Sequence, residues 1–202
     1  SSSKGAAEIA IASWRRSFFN PSDYGMKHHV ALASVRAGNV IGGGDWALDR
    51  IIPDCIKALE AGKGIDIRSP KAIRPWQHVL EPLSGYMLLA TKMWEEPTKY
   101  CEGWNFGPRA ESITPVWDVA TDVIKNYGSG KLNDISNSNV LHEAKLLMLD
   151  ISKAKFQLGW EPRMNIHQCI ELTVDWYKKY QNVDSIYMLC LNEIFKFTSY
   201  KK

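Results

Sequence analysis

The sequence lacks the features that mark membrane-spanning, secreted and zinc-binding proteins. It has no run of ~18 apolar residues, which a membrane-spanning helix requires, and no segment typical of a signal peptide. Its few cysteines form no C-x-x-C pair or other short spacing that would hold zinc: Cys55, Cys101, Cys169 and Cys190. We therefore expect free thiols, no metal site, no membrane contact and a cytoplasmic protein.

An excess of charge of one sign is also missing. The 202 residues include 25 basic and 22 acidic side chains, and the formal net charge is +3. The basic residues do not gather into a patch studded with aromatic residues, so the charge pattern argues against a nucleic-acid partner. A small positive balance is compatible with an anionic small-molecule ligand.

The glycine motifs that identify nucleotide-binding folds are absent. No G-x-G-x-x-G follows a strand. The run Gly42–Gly44 does not match this fingerprint, because no glycine stands at its last position and no helix begins at the required spacing. The sequence also contains no P-loop, no H-E-x-x-H and no G-x-S-x-G. A complete cofactor or hydrolase motif therefore cannot be assigned from this chain by itself.

What the sequence does contain is an alternation of helical and extended patterns, which indicates an α/β fold. Apolar residues at helical spacing predict a first helix over about 3–19, and Val30–Val35 read as a strand buried on both faces. Gly42–Gly44 after this strand would allow the backbone to approach a ligand. Asn165 is placed to cap a helix, and the segment after Asp184 has no clear pattern.

Lys4 stands in the first turn of the first predicted helix, where a positive charge opposes the helix dipole. The segment S-S-S-K resembles the end of the Tyr-x-x-x-Lys motif of the short-chain dehydrogenase/reductase superfamily. In that motif the lysine lies one turn from the tyrosine and lowers the pKa of its phenol, so that the phenol can act as a base. The tyrosine would stand directly before Ser1, and we therefore expect this chain to be part of a longer enzyme.

Further motifs follow in one order along the chain. They are R-A-G-N-V-I-G-G-G-D-W, D-R-I-I-P-D, I-R-P-W-Q-H-V-L-E-P-L-S-G-Y, W-N-F-G-P and L-D-x-S-K-A-K-x-x-L-G-W-E-P. Together they resemble the extended short-chain dehydrogenases that modify nucleotide sugars, over about residues 1–180. The variants G-N-V-I-G-G and R-P-W-Q-H-V are more similar to the CDP-glucose 4,6-dehydratase family than to its dTDP-glucose relatives.

The resemblance implies a fold and a domain organisation. It implies the C-terminal part of a Rossmann-like, doubly wound parallel sheet together with a smaller α/β domain that binds the nucleotide sugar. Residues 1–45 would end the NAD-binding domain. Residues 46–180 would form mainly the substrate domain, with some segments returning to the sheet, and residues 181–202 would be a tail.

The resemblance also implies an activity. NAD would take a hydride from C4 of CDP-glucose, water would leave from C5 and C6, and the hydride would return to C6. The product would be CDP-4-keto-6-deoxyglucose, a precursor of deoxysugars for surface polysaccharides such as O-antigen. The whole enzyme would be a lyase and a homodimer, with a tetramer as the alternative, and this chain alone would be inactive. A related epimerase or decarboxylase, or a non-catalytic nucleotide-sugar-binding module, remains open.

The resemblance assigns roles to residues at matching positions. Lys4 would be catalytic and, with Arg36 and Ala37, would contact the cofactor. Arg74 carries a planar guanidinium suited to a diphosphate, and Asn39 follows a strand at the edge where α/β sheets bind ligands. The complete set of expected substrate-binding residues is Asn39, Asp49, Arg50, Ile67, Arg68, Arg74, Asn105 and His142. Arg50 and His142 are equally compatible with purely structural roles.

Overall fold

The computed structural model describes residues 2–136 and 148–200. The chain divides into two compact units, and each is assembled from three separate segments. Unit 1 contains Ser1–Ala37, Leu83–Phe106 and Asp150–Glu161. Unit 2 contains Gly38–Pro82, Gly107–Leu149 and Pro162–Lys202. The assignment of cofactor and substrate roles to the segments 1–45, 46–180 and 181–202 stays a prediction.

Helices and short strands alternate along the described chain. The helices are α1 Ser2–Ser17, α2 Ile51–Glu60, α3 Leu80–Glu95, α4 Val116–Tyr127, α5 Ile166–Lys179 and α6 Ile186–Ser199. The strands are β1 Ser34–Ala37, β2 Asn39–Ile41, β3 Ile65–Ile67, β4 Ile73–Arg74, β5 Trp76–His78, β6 Gly103–Phe106, β7 Thr114–Pro115 and β8 Leu132–Asp134. None of the described helices combines the length and the apolar character needed to cross a membrane.

The strand pairs are parallel except for one. β1 runs parallel to β6 within unit 1, and in unit 2 β2 runs parallel to β5 and β3 to β8. The two-residue strands β4 and β7 are antiparallel. Parallel strands separated by helices define the α/β class, so the predicted fold class is confirmed.

The core of unit 1 is built around aromatic side chains. Trp104 and Phe106 of β6 are fully buried, and the ring of Trp160 meets that of Phe106 edge-on at a centroid distance of 4.9 Å. The indole nitrogen of Trp160 donates a hydrogen bond to Ser84 Oγ at 3.0 Å. Gly85 is required here, because a Cβ at this position would lie 2.2 Å from the Phe106 ring. Trp160 is thus the packing anchor that its place after a glycine-capped turn suggests.

The core of unit 2 lies between α2, α4 and α5. The inward face of α5 includes the four residues whose helical spacing indicates a buried stripe, Ile166, Ile170, Val174 and Tyr177, and it also contains Cys169, Leu172, Thr173 and Trp176. Asn165 begins α5 with a capping box, in which its side chain accepts from the amide of Gln168 and the Gln168 side chain accepts from the amide of Asn165. The predicted cap is confirmed.

One predicted feature differs in the structure, and one segment that the sequence left open proves to be helical. The strand expected over Val30–Val35 is observed at Ser34–Ala37, and Val35 is exposed at 39%. The reason is that Ser34 and Arg36, on the opposite face of β1, turn towards α1, so Val35 must point away from it. The patternless tail forms α6, which begins at Ser185 as its cap and buries Leu189 and Phe197.

Candidate functional site

Unit 1 carries Lys4 and the residues predicted to contact the cofactor. Lys4 is exposed in the first turn of α1. One turn further on, Glu8 accepts a hydrogen bond at its Oε2 from Ser34 Oγ at 2.9 Å, and its Oε1 lies 3.8 Å from Arg36 Nε. The guanidinium side of Arg36 therefore faces α1, and the expected contact of Arg36 with the cofactor stays a prediction.

Arg36 and Ala37 of β1 lie beside Asn105 and Phe106 of β6 in the parallel register. Asn105 donates from Nδ2 to the carbonyl of Asp150 at 3.0 Å. Its Oδ1 is buried and has no hydrogen-bond partner within the described ranges. A buried amide oxygen without a donor is costly, so this atom is suited to accept from a ligand. The structure thus brings three of the predicted ligand-contacting residues onto neighbouring strands.

In unit 2 one backbone hydrogen bond brings Asn39 close to the segment that contains Arg74. The amide of Asn39 donates to the carbonyl of Pro75 at 3.1 Å, which sets Asn39 beside the residue that follows Arg74. Gly38 is needed for this approach, since a Cβ there would lie 2.8 Å from the Pro75 carbonyl oxygen. Arg74 is half-buried, and its Nη1 donates to the carbonyl of Ile73 at 2.9 Å.

Asp49, Arg50 and Arg68 belong to two ion pairs on the surface of unit 2. Arg68 Nη2 contacts Asp49 Oδ1 at 2.6 Å, and Arg50 Nη1 contacts Asp45 Oδ2 at 2.8 Å. Desolvation alone would raise the pKa of Asp45, but the amide of Ala47 and the guanidinium of Arg50 together hold this pKa below its usual value. Exposed pairs of this kind contribute at most ~1 kcal/mol, so an anionic ligand can compete for either arginine.

The backbone at Asp49 is also unusual. Asp49 has a φ of 59°, which places a non-glycine residue in the left-handed region directly before α2. Ile67 differs from the other predicted site residues, because its side chain is only 2% exposed and packs in the core through β3. The burial of the whole residue therefore does not support the expected ligand contact of Ile67, which stays a prediction. His142 lies outside the described residues.

The glycine run after β2 has a different partner from the one expected. A Cβ on Gly43 would lie 2.1 Å from Cδ2 of the Trp176 ring, so this glycine makes room for an indole of α5. Tyr177 then donates from its hydroxyl to the carbonyl of Asp45 at 2.6 Å, which fixes the loop from its other side. Trp176 fills the space on the Cβ side of Gly43, so a ligand cannot approach this glycine from that side, and the expected ligand contact of Gly42–Gly44 stays a prediction.

A buried polar group at the start of α3 was missed by the sequence reading. His78 is 0% exposed, and burial lowers the pKa of its imidazole to about 4, which keeps it neutral. Glu81 is 1% exposed and accepts at Oε1 from the amides of Arg163 and Met164 at 2.8 and 2.7 Å. Burial raises the pKa of Glu81, which these amides partly offset. The acidic residue directly before Pro82 was the only signal for this group.

Comparison with solved structures identifies the class of fold. A dTDP-glucose 4,6-dehydratase from Bacillus anthracis, solved in complex with NAD, matches with a TM-score of 0.68 at 19% identity, over 88% of this chain and 51% of its own. A dTDP-glucose 4,6-dehydratase from Streptomyces venezuelae matches with a TM-score of 0.70 at 15% identity, over 89% of this chain and 51% of its own. A UDP-glucuronic acid 4-epimerase from Bacillus cereus matches with a TM-score of 0.66 at 20% identity, over 86% of this chain and 50% of its own. The chain therefore has the Rossmann-like fold of the extended short-chain dehydrogenases.

A relative of known name is similar to almost the whole of this chain. The chain is 45% identical over 199 residues to a CDP-glucose 4,6-dehydratase from Salmonella typhimurium. The match covers 98% of this chain and 55% of the relative, so the chain spans about half the length of the protein it matches. The resemblance to the CDP-glucose 4,6-dehydratases that the sequence motifs indicated is confirmed. No protein-family model matches the chain.

Proposed function

We propose that this chain supplies Lys4 and most of the substrate site of an NAD-dependent CDP-glucose 4,6-dehydratase, a lyase that forms CDP-4-keto-6-deoxyglucose. The observation that carries the proposal is the 45% identity to a CDP-glucose 4,6-dehydratase over 98% of the chain. The fold supports it, since dehydratases that act on a related nucleotide sugar have the same architecture at much lower identity.

The residues of unit 1 fit the cofactor side of this reaction. NAD, when bound, accepts the hydride and returns it. Lys4 is exposed at the start of α1, where its ammonium can bond a ribose hydroxyl and lower the pKa of a neighbouring phenol. The buried Oδ1 of Asn105 can accept a hydrogen bond from a ligand hydroxyl next to the backbone of Arg36 and Ala37.

The residues of unit 2 fit the diphosphate of the substrate. Arg74 offers a planar guanidinium, and Asn39 is held beside its segment by the contact with Pro75. Arg50 and Arg68 are balanced by Asp45 and Asp49 in exposed pairs, so a phosphate could displace either carboxylate at little cost. Ligand binding would thus exchange one weak ion pair for a stronger contact with a doubly charged group.

An assay of the complete protein with NAD and CDP-glucose tests the proposal. The expected result is a product lighter than the substrate by one water, detected by mass spectrometry, with CDP-glucose preferred over dTDP-glucose and UDP-glucose. A product of unchanged mass but altered retention would identify a 4-epimerase instead. Binding of CDP-glucose without any product would point to a non-catalytic nucleotide-sugar-binding protein, and preference for another base would overturn the assignment of cytidine.

The proposal extends to assembly and location. A homodimer, with a tetramer as the alternative, is supported by exposed apolar side chains on α1 and directly after it: Trp14 is 57% exposed and Ile9 73%, and Phe18, which follows the helix, is 63% exposed. A cytoplasmic enzyme is supported by the four cysteines, which are all free. The product would enter the synthesis of deoxysugars for surface polysaccharides such as O-antigen.

A further inference from the structure

The contact between α1 and β1 bears directly on Lys4. Glu8 lies four residues after Lys4, so the two side chains share one face of α1, about 6 Å apart along its axis. Both carboxylate oxygens of Glu8 turn to β1, where Oε2 accepts from Ser34 and Oε1 faces Arg36. Within the described chain Glu8 therefore forms no ion pair with Lys4, although the i, i+4 spacing would allow one.

This contact is partly shielded from solvent, since the Arg36 side chain is 35% exposed and the Glu8 side chain 25%. Arg36 Nε is buried and has no hydrogen-bond partner in the described chain, so the Glu8 carboxylate at 3.8 Å is the charge that offsets it. A Cβ on Gly103 would come within 3.2 Å of Arg36 Nη2 and 3.3 Å of both Glu8 Oε2 and Ser34 Oγ. The absence of a side chain at Gly103 of β6 thus leaves the room that Glu8, Ser34 and Arg36 occupy.

Few other polar contacts join α1 to the rest of unit 1 within the described residues. The other polar contact from α1 to the rest of unit 1 that we identify among the described residues is from Arg15 Nε to the carbonyl of Leu32, at 3.0 Å near the far end of the helix. Glu8 is therefore the contact that holds the end of the helix on which Lys4 stands.

We propose that Glu8 is a positioning residue for Lys4, which it serves by fixing the rotation of α1 against Ser34 and Arg36. The inference rests on the proposed function, because that function gives Lys4 its role. It adds Glu8 as a residue that acts through Lys4 without touching substrate or cofactor. A small rotation of α1 would move the Lys4 ammonium by about 1 Å, and a displacement of that size can reduce a rate by about 100-fold.

The test is the variant Glu8→Gln in the complete enzyme, assayed with CDP-glucose and NAD. Its amide oxygen can still accept from Ser34, but the charge that faces Arg36 is lost. We expect kcat to fall by about 10- to 100-fold, while KM for CDP-glucose changes less than about twofold because the diphosphate residues are untouched. Glu95→Gln is the matched control, because Glu95 is an exposed carboxylate on α3 of the same unit.

The pH profile separates positioning from a plain charge effect. Removing the Glu8 carboxylate leaves the positive charge of Arg36 without its partner. This charge alone would lower the pKa of the tyrosine phenol that acts as the base, so the acid limb of the kcat/KM profile would move to lower pH. A displaced Lys4 acts more weakly on the phenol, so the same limb moves to higher pH. A shift to higher pH supports the proposal, and a shift to lower pH or no shift overturns it.

A second measurement does not depend on turnover. Hydrogen exchange of the amides of residues 5–10 should be faster in Glu8→Gln than in Glu95→Gln by about fivefold or more, because the near end of α1 is released. If the wild-type protein makes no product from CDP-glucose, the proposed function fails, while this exchange measurement still tests the contact. Unchanged exchange in Glu8→Gln would overturn the inference whatever the activity.

Discussion

At the scale of single residues, Arg74 is the side chain on which the proposed substrate site depends most. Replacing it by alanine would remove the charged hydrogen bond that the proposed site offers to the diphosphate. We expect CDP-glucose to bind more weakly by roughly 1.5–3 kcal/mol, measured by calorimetry with the complete protein. Lys63→Ala, which removes an exposed positive charge of the same unit, should leave the affinity unchanged. Equal affinity in Arg74→Ala and the wild type would refute the phosphate role.

Gly43 gives a prediction about stability. In Gly43→Ala the new methyl group would lie 2.1 Å from the Trp176 ring, so either the loop or α5 must shift. We expect the free energy of unfolding to fall by about 1–3 kcal/mol, as for other overpacked sites, measured by urea denaturation. The double variant Gly43→Ala, Trp176→Leu should lose less than the sum of the two single variants, because the smaller side chain makes room. Strict additivity would mean that the contact carries no strain.

Residue by residue, the sequence could identify candidates for the site but not their partners. The position of Asn39 after a strand and the chemistry of Arg74 are visible in the sequence itself. That Glu8 faces Arg36, or that Trp176 fills the space above Gly43, depends on segments far apart along the chain, for which neither spacing nor residue type carries a signal. The roles of the predicted ligand residues stay predictions.

At the scale of elements, the spacing of apolar residues was sufficient to predict a helix and its inward face where the helix has one clearly buried side. The inward face of α5 and its cap at Asn165 were predictable, because the repeat and the capping chemistry are both local. The tail was not predictable, since α6 exposes many apolar residues and shows no single stripe. The strand after Val30 was misplaced for a related reason, because contacts with α1 decide which face of β1 is inward.

The docking of α6 should depend on pH through Glu193. Burial, with the nearby Asp175 carboxylate, raises the pKa of Glu193 from 4.5 to about 7. Because the folded protein binds this proton more tightly than the unfolded chain, the stabilisation is complete below pH 4.5 and is lost as the pH rises through about 7. After allowance for solvent screening, the effect should be roughly 1–2 kcal/mol.

Variants at this position provide the measurement. Glu193→Gln should make the protection of α6 from proteolysis nearly equal at pH 5 and pH 8, whereas the wild type should be cleaved faster at pH 8. Asp184→Asn, an exposed carboxylate just before the helix, should retain the pH dependence of the wild type. If Glu193→Gln kept the same pH dependence, another group would have to be responsible.

At the scale of the whole molecule, assembly is the property that α1 makes testable. If its exposed apolar face forms the dimer, Trp14→Glu places a charge in that interface and should shift the complete protein towards monomer, measured by sedimentation velocity. Lys99→Glu, on the surface of the same unit, should leave the mass of the assembly unchanged. A stable dimer in Trp14→Glu would place the interface elsewhere.

The path of the chain also has consequences for how such a protein can change over time. Each unit is assembled from three stretches of sequence that alternate with those of the other unit. A single recombination event therefore cannot exchange one complete unit for that of a relative and leave the other intact, because any one crossover point within the chain leaves at least one of the two units mosaic. New substrate preferences in this architecture are expected to accumulate by individual substitutions within the ligand-facing loops rather than by the transfer of a whole module.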